Sequence, residues 1–260
     1  MPDEPAPEPE PACASCRGYG FVRRAVPISD PDFGRAIPCH CRLVDVEQRR
    51  QEHYVQAGLS LLPRAASGQT FDRFRLTGFG RELATEAYET ARAWAEREDD
   101  DDAVPPLLFI YGTTGNGKTH LSYAAAHRLI ERGKLVVWQN LPAMLDRFRN
   151  CFDARLAWER DGGLRPPLFA EEFANVLEAD YLILDDLGAQ VFSEWAAEKL
   201  YLLVDDRYRQ HKPLFVTCNS LFNQIPDRLA SRFKASDVCR LIWNQATDCR
   251  PYVTQLQTQD

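Results

Sequence analysis

From residue 107 onward, apolar blocks alternate with polar stretches at helical spacing. The blocks "PLLFIYG", "KLVVWQN", "YLILDDLG", "PLFVTCNS" and "VCRLIWN" are short and nearly uninterrupted, as strands buried on both faces require. Between them lie "KTHLSYAAAHRLIERG", the long segment from Leu141 to Ala179, "SEWAAEKLYLLVDDRYRQH" and "IPDRLASRFKA", which read as helical crossovers. The alternation predicts an α/β fold whose five parallel strands are covered by helices. Upstream, "ELATEAYETARAWAERE" places Leu83, Tyr88, Ala91 and Trp94 on one face and predicts the first helix of this domain. The acid run "EDDDD" behind it reads as a solvated turn, because adjacent like charges stay hydrated.

The first part of the chain has a different texture. "MPDEPAPEPEPA" is acidic and proline-rich, and residues 1–11 are expected to be a disordered tail. Residues 43–69 include "VDVEQRRQEHYVQAG", whose sparse apolar positions predict a connecting helix, with the larger domain running over residues 70–260. At 260 residues and 45% hydrophobic content, the chain can bury an α/β core and still carry a small module. Nowhere does it present the ~18 consecutive apolar residues that a membrane span needs. With a tail unlike a secretory signal, the expectation is a cytoplasmic protein. The net charge of −7 argues against whole-surface nucleic-acid binding, so any DNA contact must be local or built by an oligomer.

Eight cysteines in such a setting point to metal before disulfides. Cys13 and Cys16 in "CASC", with Cys39 and Cys41 in "PCHC", form a C-x2-C-x22-C-x-C pattern over residues 12–42. Four thiolates satisfy the tetrahedral preference of zinc, and "CRGYG" supplies the tight bend behind the first pair. His40 is an alternative ligand within the second pair. A segment of ~30 residues has too little core to fold without such a staple. Cys151, Cys218, Cys239 and Cys249 are scattered and read as ordinary small residues.

"YGTTGNGKTH" follows the first strand and opens the next helix. Its spacing, Gly112, four residues, then Gly117, Lys118 and Thr119, is that of a phosphate-binding loop. Gly112, Gly115 and Gly117 let the backbone N–H groups of Thr113, Thr114, Asn116 and their neighbours turn toward phosphates, and the helix N-terminus adds its dipole. Lys118 supplies a point charge and the Thr119 hydroxyl a magnesium ligand, with His120 beside them. The third strand ends in Asp185 and Asp186, at the carboxyl edge where open α/β sheets bind ligands. One aspartate is expected to hold magnesium through water or the Thr119 oxygen, and the other to orient the attacking water. Asp185 is taken for the metal and Asp186 for the water. The fourth strand ends in Asn219, whose neutral amide could position that water without repelling the anion.

"GTTGNGKTHL", "YLILDDLGA", "VTCNS" and "DRLASRF", in this order, resemble the AAA+ ATPases of the DnaC/DnaI helicase-loader group, which includes the IstB transposition helpers. The resemblance covers about residues 70–252. It implies a five-stranded AAA+ P-loop NTPase core with a reduced lid, beside the ATP and Mg2+ expected at the loop and the zinc (Zn2+) expected in the separate N-terminal module from the residues themselves. It further implies self-association through the AAA+ interface, single-stranded DNA contact, and a hexameric replicative DNA helicase as partner. Arg232 would be an arginine finger acting on a neighbouring subunit's ATP, supported by Arg228. Arg250 would stand for the sensor arginine, with a cysteine before it where an aromatic residue is usual.

The segment after Leu141 is long for one crossover. In the group it resembles the place of an additional helix facing DNA. Here Arg147, Arg149, Arg155, Arg160 and Arg165 interleave with Phe148, Phe152 and Trp158. The pattern suits phosphate contact with base stacking, and it suits a plain surface helix equally.

Overall fold

The protein is described by a computed structural model at residues 13–17, 19–23, 27, 35–41, 62–76, 80–98, 103–161, 169–188 and 194–250, without the side chains at 38, 152, 154–161 and 170–171. The expected tail, most of the connecting segment, most of the acid run, and Phe152, Arg155, Trp158, Arg160 and Arg165 lie outside the described side chains. The chain divides into two compact units, Met1–Gln56 and Ala57–Asp260, each treated by itself below.

In the first unit, β1 (Phe21–Arg23) pairs antiparallel with β2 (Ala36–Pro38), with Phe21 opposite Pro38. The turn before β1 is closed by Arg17 N–H donating to the Cys13 carbonyl and Tyr19 N–H to that of Cys16.

The second unit is built on β3 (Leu107–Tyr111), β4 (Val136–Asn140), β5 (Tyr181–Leu187), β6 (Leu214–Cys218) and β7 (Cys239–Trp243), ordered β4-β5-β6-β3-β7 and parallel throughout. All five correspond to the apolar blocks of the sequence. Leu107, Phe109, Leu182, Leu184 and Leu214 are completely buried, as expected where helices cover both faces. The covering helices are α1 (Thr85–Glu96), α2 (Lys118–Glu131), α3 (Leu141–Asp161), α4 (Phe169–Glu178), α5 (Glu194–Gln210) and α6 (Asp227–Phe233). The long segment after Leu141 thus holds two helices.

Trp94 anchors α1 to the sheet. It meets Tyr181 and Phe215 edge-on, and its indole N–H donates to the Pro106 carbonyl at 2.8 Å. Ala84, Ala87, Ala91 and Ala95 are buried beside it. Leu83, expected on this face, is 55% exposed. Residues Arg81–Ala84 form a 3-10 turn, whose tighter winding breaks the α-helical phase before Thr85.

Packing also reaches N-terminal of residue 70. Ala66 is fully buried in the same cluster as Phe71 and Phe74, and its carbonyl lies 2.9 Å from His127 Nε2 on α2.

Candidate nucleotide site and thiol cluster

β3 lies between β6 and β7, so the loop after it opens on the sheet's carboxyl edge, one strand in from β7. Gly115 and Gly117 hold φ of 76° and 95°, where a side chain is strained. A Cβ on Gly117 would also come within 2.8 Å of Phe74, and one on Gly115 would overlap the Asp248 carboxylate. The loop therefore needs glycine for conformation and for space. Its walls are tied by Asn116 Nδ2 donating to the Asn244 carbonyl at 2.9 Å and Asn244 Nδ2 donating to the Asn116 carbonyl at 3.2 Å.

Lys118 opens α2 and is buried. Its ammonium donates to the carbonyls of Gly112 (3.0 Å) and Thr113 (2.6 Å) and to Asn116 Oδ1 (2.9 Å). Burial pulls its pKa down to about 8, against the attraction of Asp185 and Asp186. The next residue, Thr119, donates its hydroxyl to Asp185 Oδ2 at 3.0 Å.

Asp185 is buried and collects two further hydroxyls on Oδ1, from Thr217 (2.7 Å) and Ser122 (3.2 Å). Burial raises its pKa, and the three hydroxyls oppose the rise. Asp186 faces a different way. At the end of β5 it adopts a left-handed φ of 68°, beside an irregularity in the β5–β6 ladder, and its N–H donates to Thr217 Oγ1 at 3.0 Å. A strained non-glycine residue at a strand end marks a position held for its side chain. Its carboxylate accepts a hydrogen bond from the Asn219 amide.

Asp186, Asn219, Lys118, Thr119, His120 and Arg250 line one cleft of about 1170 Å³, large enough for a nucleotide. Asp185 is buried behind Thr119 and does not line it. His120 is fixed by an edge-on contact with Phe74 and by the Thr70 carbonyl 2.9 Å from Nε2, and burial lowers its pKa.

The cleft also has walls that the motifs did not reveal. Gln69, Asp72, Arg73, Arg75 and Arg81 line it from the segment before α1. Arg81 lies over the Phe74 ring at 4.5 Å and donates to the Arg75 carbonyl and to Cys249 Sγ, each at 3.0 Å. Cys249 is not the ordinary small residue expected: its thiol donates to the Gly115 carbonyl at 3.1 Å, so it forms part of the loop's wall. The signal in the sequence was the cluster of arginines in "FDRFRLTGFGR", which has no helical or strand period to explain it.

Arg232 does not line this cleft. It stands on α6, with Nε donating to Asp205 Oδ1 at 2.7 Å, and Arg228 lies over the Tyr201 ring at 4.5 Å. In the basic and aromatic stretch, Arg147 pairs with Glu172 (3.4 Å) and donates to Gln139 (3.1 Å). Phe148 is completely buried against Phe169 and Phe173, which removes it as a base-stacking platform.

In the N-terminal unit, the sulfurs of Cys13, Cys16, Cys39 and Cys41 all lie within 4.8 Å of one another. Cys13 and Cys39 are 3.8 Å apart, and Cys16 and Cys41 3.4 Å. Zinc–sulfur bonds of about 2.3 Å at tetrahedral angles place sulfurs about 3.8 Å apart, so the donor set fits that ion. Gly20 N–H donates to Cys16 Sγ at 3.3 Å, an outer hydrogen bond that would stabilise thiolate charge. The N–H groups of Cys16 and Ser15 pull the Cys13 thiol down to about 6, while a hydrogen bond with the Cys16 thiol pushes Cys41 up to about 12. His40 is exposed, with Nε2 3.8 Å from Cys13 Sγ, beside the four thiols.

A phosphate loop after β3, with an aspartate pair at the end of β5 and an asparagine at the end of β6 between them, is the arrangement of the AAA+ class of P-loop proteins. Solved structures with this fold include the DnaC helicase loader (TM-score 0.54, 19% identity, 70% of this chain and 100% of that one) and DnaI (0.52, 20%, 73% and 95%). The chain belongs to the IstB-like ATP-binding protein family, whose model matches residues 43–236. Among curated relatives, it is 32% identical to the chromosomal replication initiator protein DnaA of Latilactobacillus sakei over 65% of its own length, and spans 34% of that protein. No described helix is long and apolar enough to cross a membrane.

Proposed function

We propose that the protein is a cytoplasmic AAA+ ATPase that loads the hexameric replicative DNA helicase during DNA replication, with ATP binding and hydrolysis controlling its assembly and its contact with single-stranded DNA. The observation that carries the ATPase reading is the division of labour at the end of β5. Asp185 is buried and bonded to Thr119, whereas Asp186 enters the cleft bonded to Asn219. Thr119, with Asp185 behind it, would hold magnesium, which would supply positive charge to screen the phosphates. Lys118 and the loop N–H groups bind the phosphates. Asp186 accepts a proton from the attacking water, and Asn219 keeps that carboxylate in line.

Arg232 lies outside its own subunit's cleft, which supports a finger that reaches a neighbour's ATP. Support for the loader comes from likeness to proteins described as the DnaC helicase loader and as replication initiators, and we assign the partner contact to the four-thiol module. The IstB-like family match favours a second reading, an ATP-switched adaptor for a transposase.

Two measurements test these assignments. Lys118→Ala should lose nucleotide binding, and Arg232→Ala should keep binding but lose turnover. A mixture of the two should recover activity at shared interfaces, and an inert mixture of assembled mutants overturns the trans finger. Co-purification with the hexameric helicase supports the loader, whereas capture of a transposase alone selects the adaptor.

A further inference from the structure

Arg232 is held from three sides by one helix. Asp205 Oδ1 accepts from Nε at 2.7 Å, the Tyr201 hydroxyl accepts from Nη2 at 3.3 Å, and the Tyr208 ring lies 4.9 Å beneath the guanidinium carbon. All three belong to α5, at positions 201, 205 and 208, which share a helix face. Tyr201 also donates to Asp205 Oδ1, closing a triangle of hydrogen bonds. Asp205 is 8% exposed, so this carboxylate is held as firmly as the helix that carries it.

The edge of the guanidinium that is engaged decides what the clamp does. A carboxylate across both Nη atoms would occupy the fork that binds phosphate. Asp205 instead takes Nε, nearest the backbone, and Nη1 donates to no group among the described residues. The outer edge is left for an anion. We infer that Asp205, seconded by Tyr201, is the positioning residue for the arginine finger, presetting Arg232 so that its Nη edge meets the ATP of the adjoining subunit without a search through rotamers. The inference rests on the trans role of Arg232 proposed above. A long arginine side chain loses considerable rotamer freedom when it docks, and a clamp formed beforehand removes that loss from the moment of reaction.

The test is subunit complementation, read as ATP turnover at saturating nucleotide together with nucleotide affinity. Asp205→Ala should lower turnover about tenfold to a hundredfold, with affinity near that of the native protein. Asp205→Asn, which keeps an oxygen for Nε, should fall between. Mixing Asp205→Ala with Lys118→Ala should restore turnover, because the latter binds no ATP yet donates a clamped Arg232 to its neighbour. Mixing Asp205→Ala with Arg232→Ala should restore none, since neither donates a positioned finger. Arg209→Ala is the control, because Arg209 pairs with the other oxygen of Asp205 at 2.9 Å and should leave turnover unchanged. If Asp205→Ala folds poorly, the Asn variant carries the same comparison.

Native turnover in the Ala and Asn variants overturns the inference, as does their failure to be rescued by Lys118→Ala while Arg232→Ala is rescued by it. Failure of that last pair alone instead removes the trans finger itself.

Discussion

Lys118 is where binding chemistry and fold stability oppose each other most directly. Its ammonium lies in a buried loop, satisfied by three oxygen acceptors but removed from water. Burial lowers its pKa from an ordinary 10.5 to about 8. Between these values the unfolded chain holds a proton that the folded chain has released, so stability rises with pH across that window. At about 1.4 kcal/mol per pH unit, the charged form costs the fold about 3 kcal/mol at pH 7, falling below about 1 kcal/mol by pH 10. Lys118→Met keeps most of the apolar stem and removes the titration. The stability of the native protein relative to Lys118→Met should therefore increase by about 2 kcal/mol from pH 7 to pH 10, whatever fixed amount the lost hydrogen bonds contribute. Urea unfolding of both proteins without nucleotide, at four pH values, measures this directly, since every other titrating group is shared. Added ATP at about a hundred times its dissociation constant should stabilise the native protein by about 2.7 kcal/mol at pH 7 and the variant little. A stability difference that stays flat from pH 7 to 10 would refute the claim that Lys118 carries a desolvated charge.

Asp186→Asn should leave nucleotide affinity nearly intact while slowing phosphate release about a hundredfold; native turnover would reassign the proton acceptor. Cys13→Ser with Cys16→Ser should abolish bound zinc, measured by elemental analysis of the purified protein, and unfold residues 12–42, since metal binding of ~10 kcal/mol stands in for the missing core. ATP affinity should remain near native and helicase association should fail, so undiminished helicase binding by this variant would separate the thiol module from partner contact.

Four of the five strands were legible because parallel strands buried on both faces are nearly continuous apolar runs, whereas β7, at the sheet's edge, alternates buried Cys239 and Ile242 with exposed Arg240 and Trp243. The phosphate loop was legible for a related reason: the glycines serve positive φ and close approach, which no other residue type can supply at Gly115 and Gly117. The separate placements of Asp185 and Asp186 were only half visible. Adjacent strand residues point to opposite sides, but it is the left-handed φ at Asp186 that sends one carboxylate into the cleft, while the other is buried under three hydroxyls.

What escaped sequence reading has one physical origin, contacts between segments far apart in the chain. Arg81 reaches Cys249, 168 positions away, and Asn116 reaches Asn244 across 128. No local period records such pairs, so Cys249 looked like a spare small residue and the arginines before α1 drew no reading at all. The same limit explains the basic stretch of α3. Its alternation of arginine and aromatic residues fitted a nucleic-acid face, yet Phe148 is buried against α4 and Arg147 is paired with Glu172 there. A helix between a sheet edge and a second helix must spend part of such a pattern on packing, and which part is set by its neighbour. Arg232 shows the converse. Its motif was visible in "DRLASRF", but the clamp that gives it direction comes from Tyr201, Asp205 and Tyr208 of the preceding helix, where only the folded arrangement aligns them.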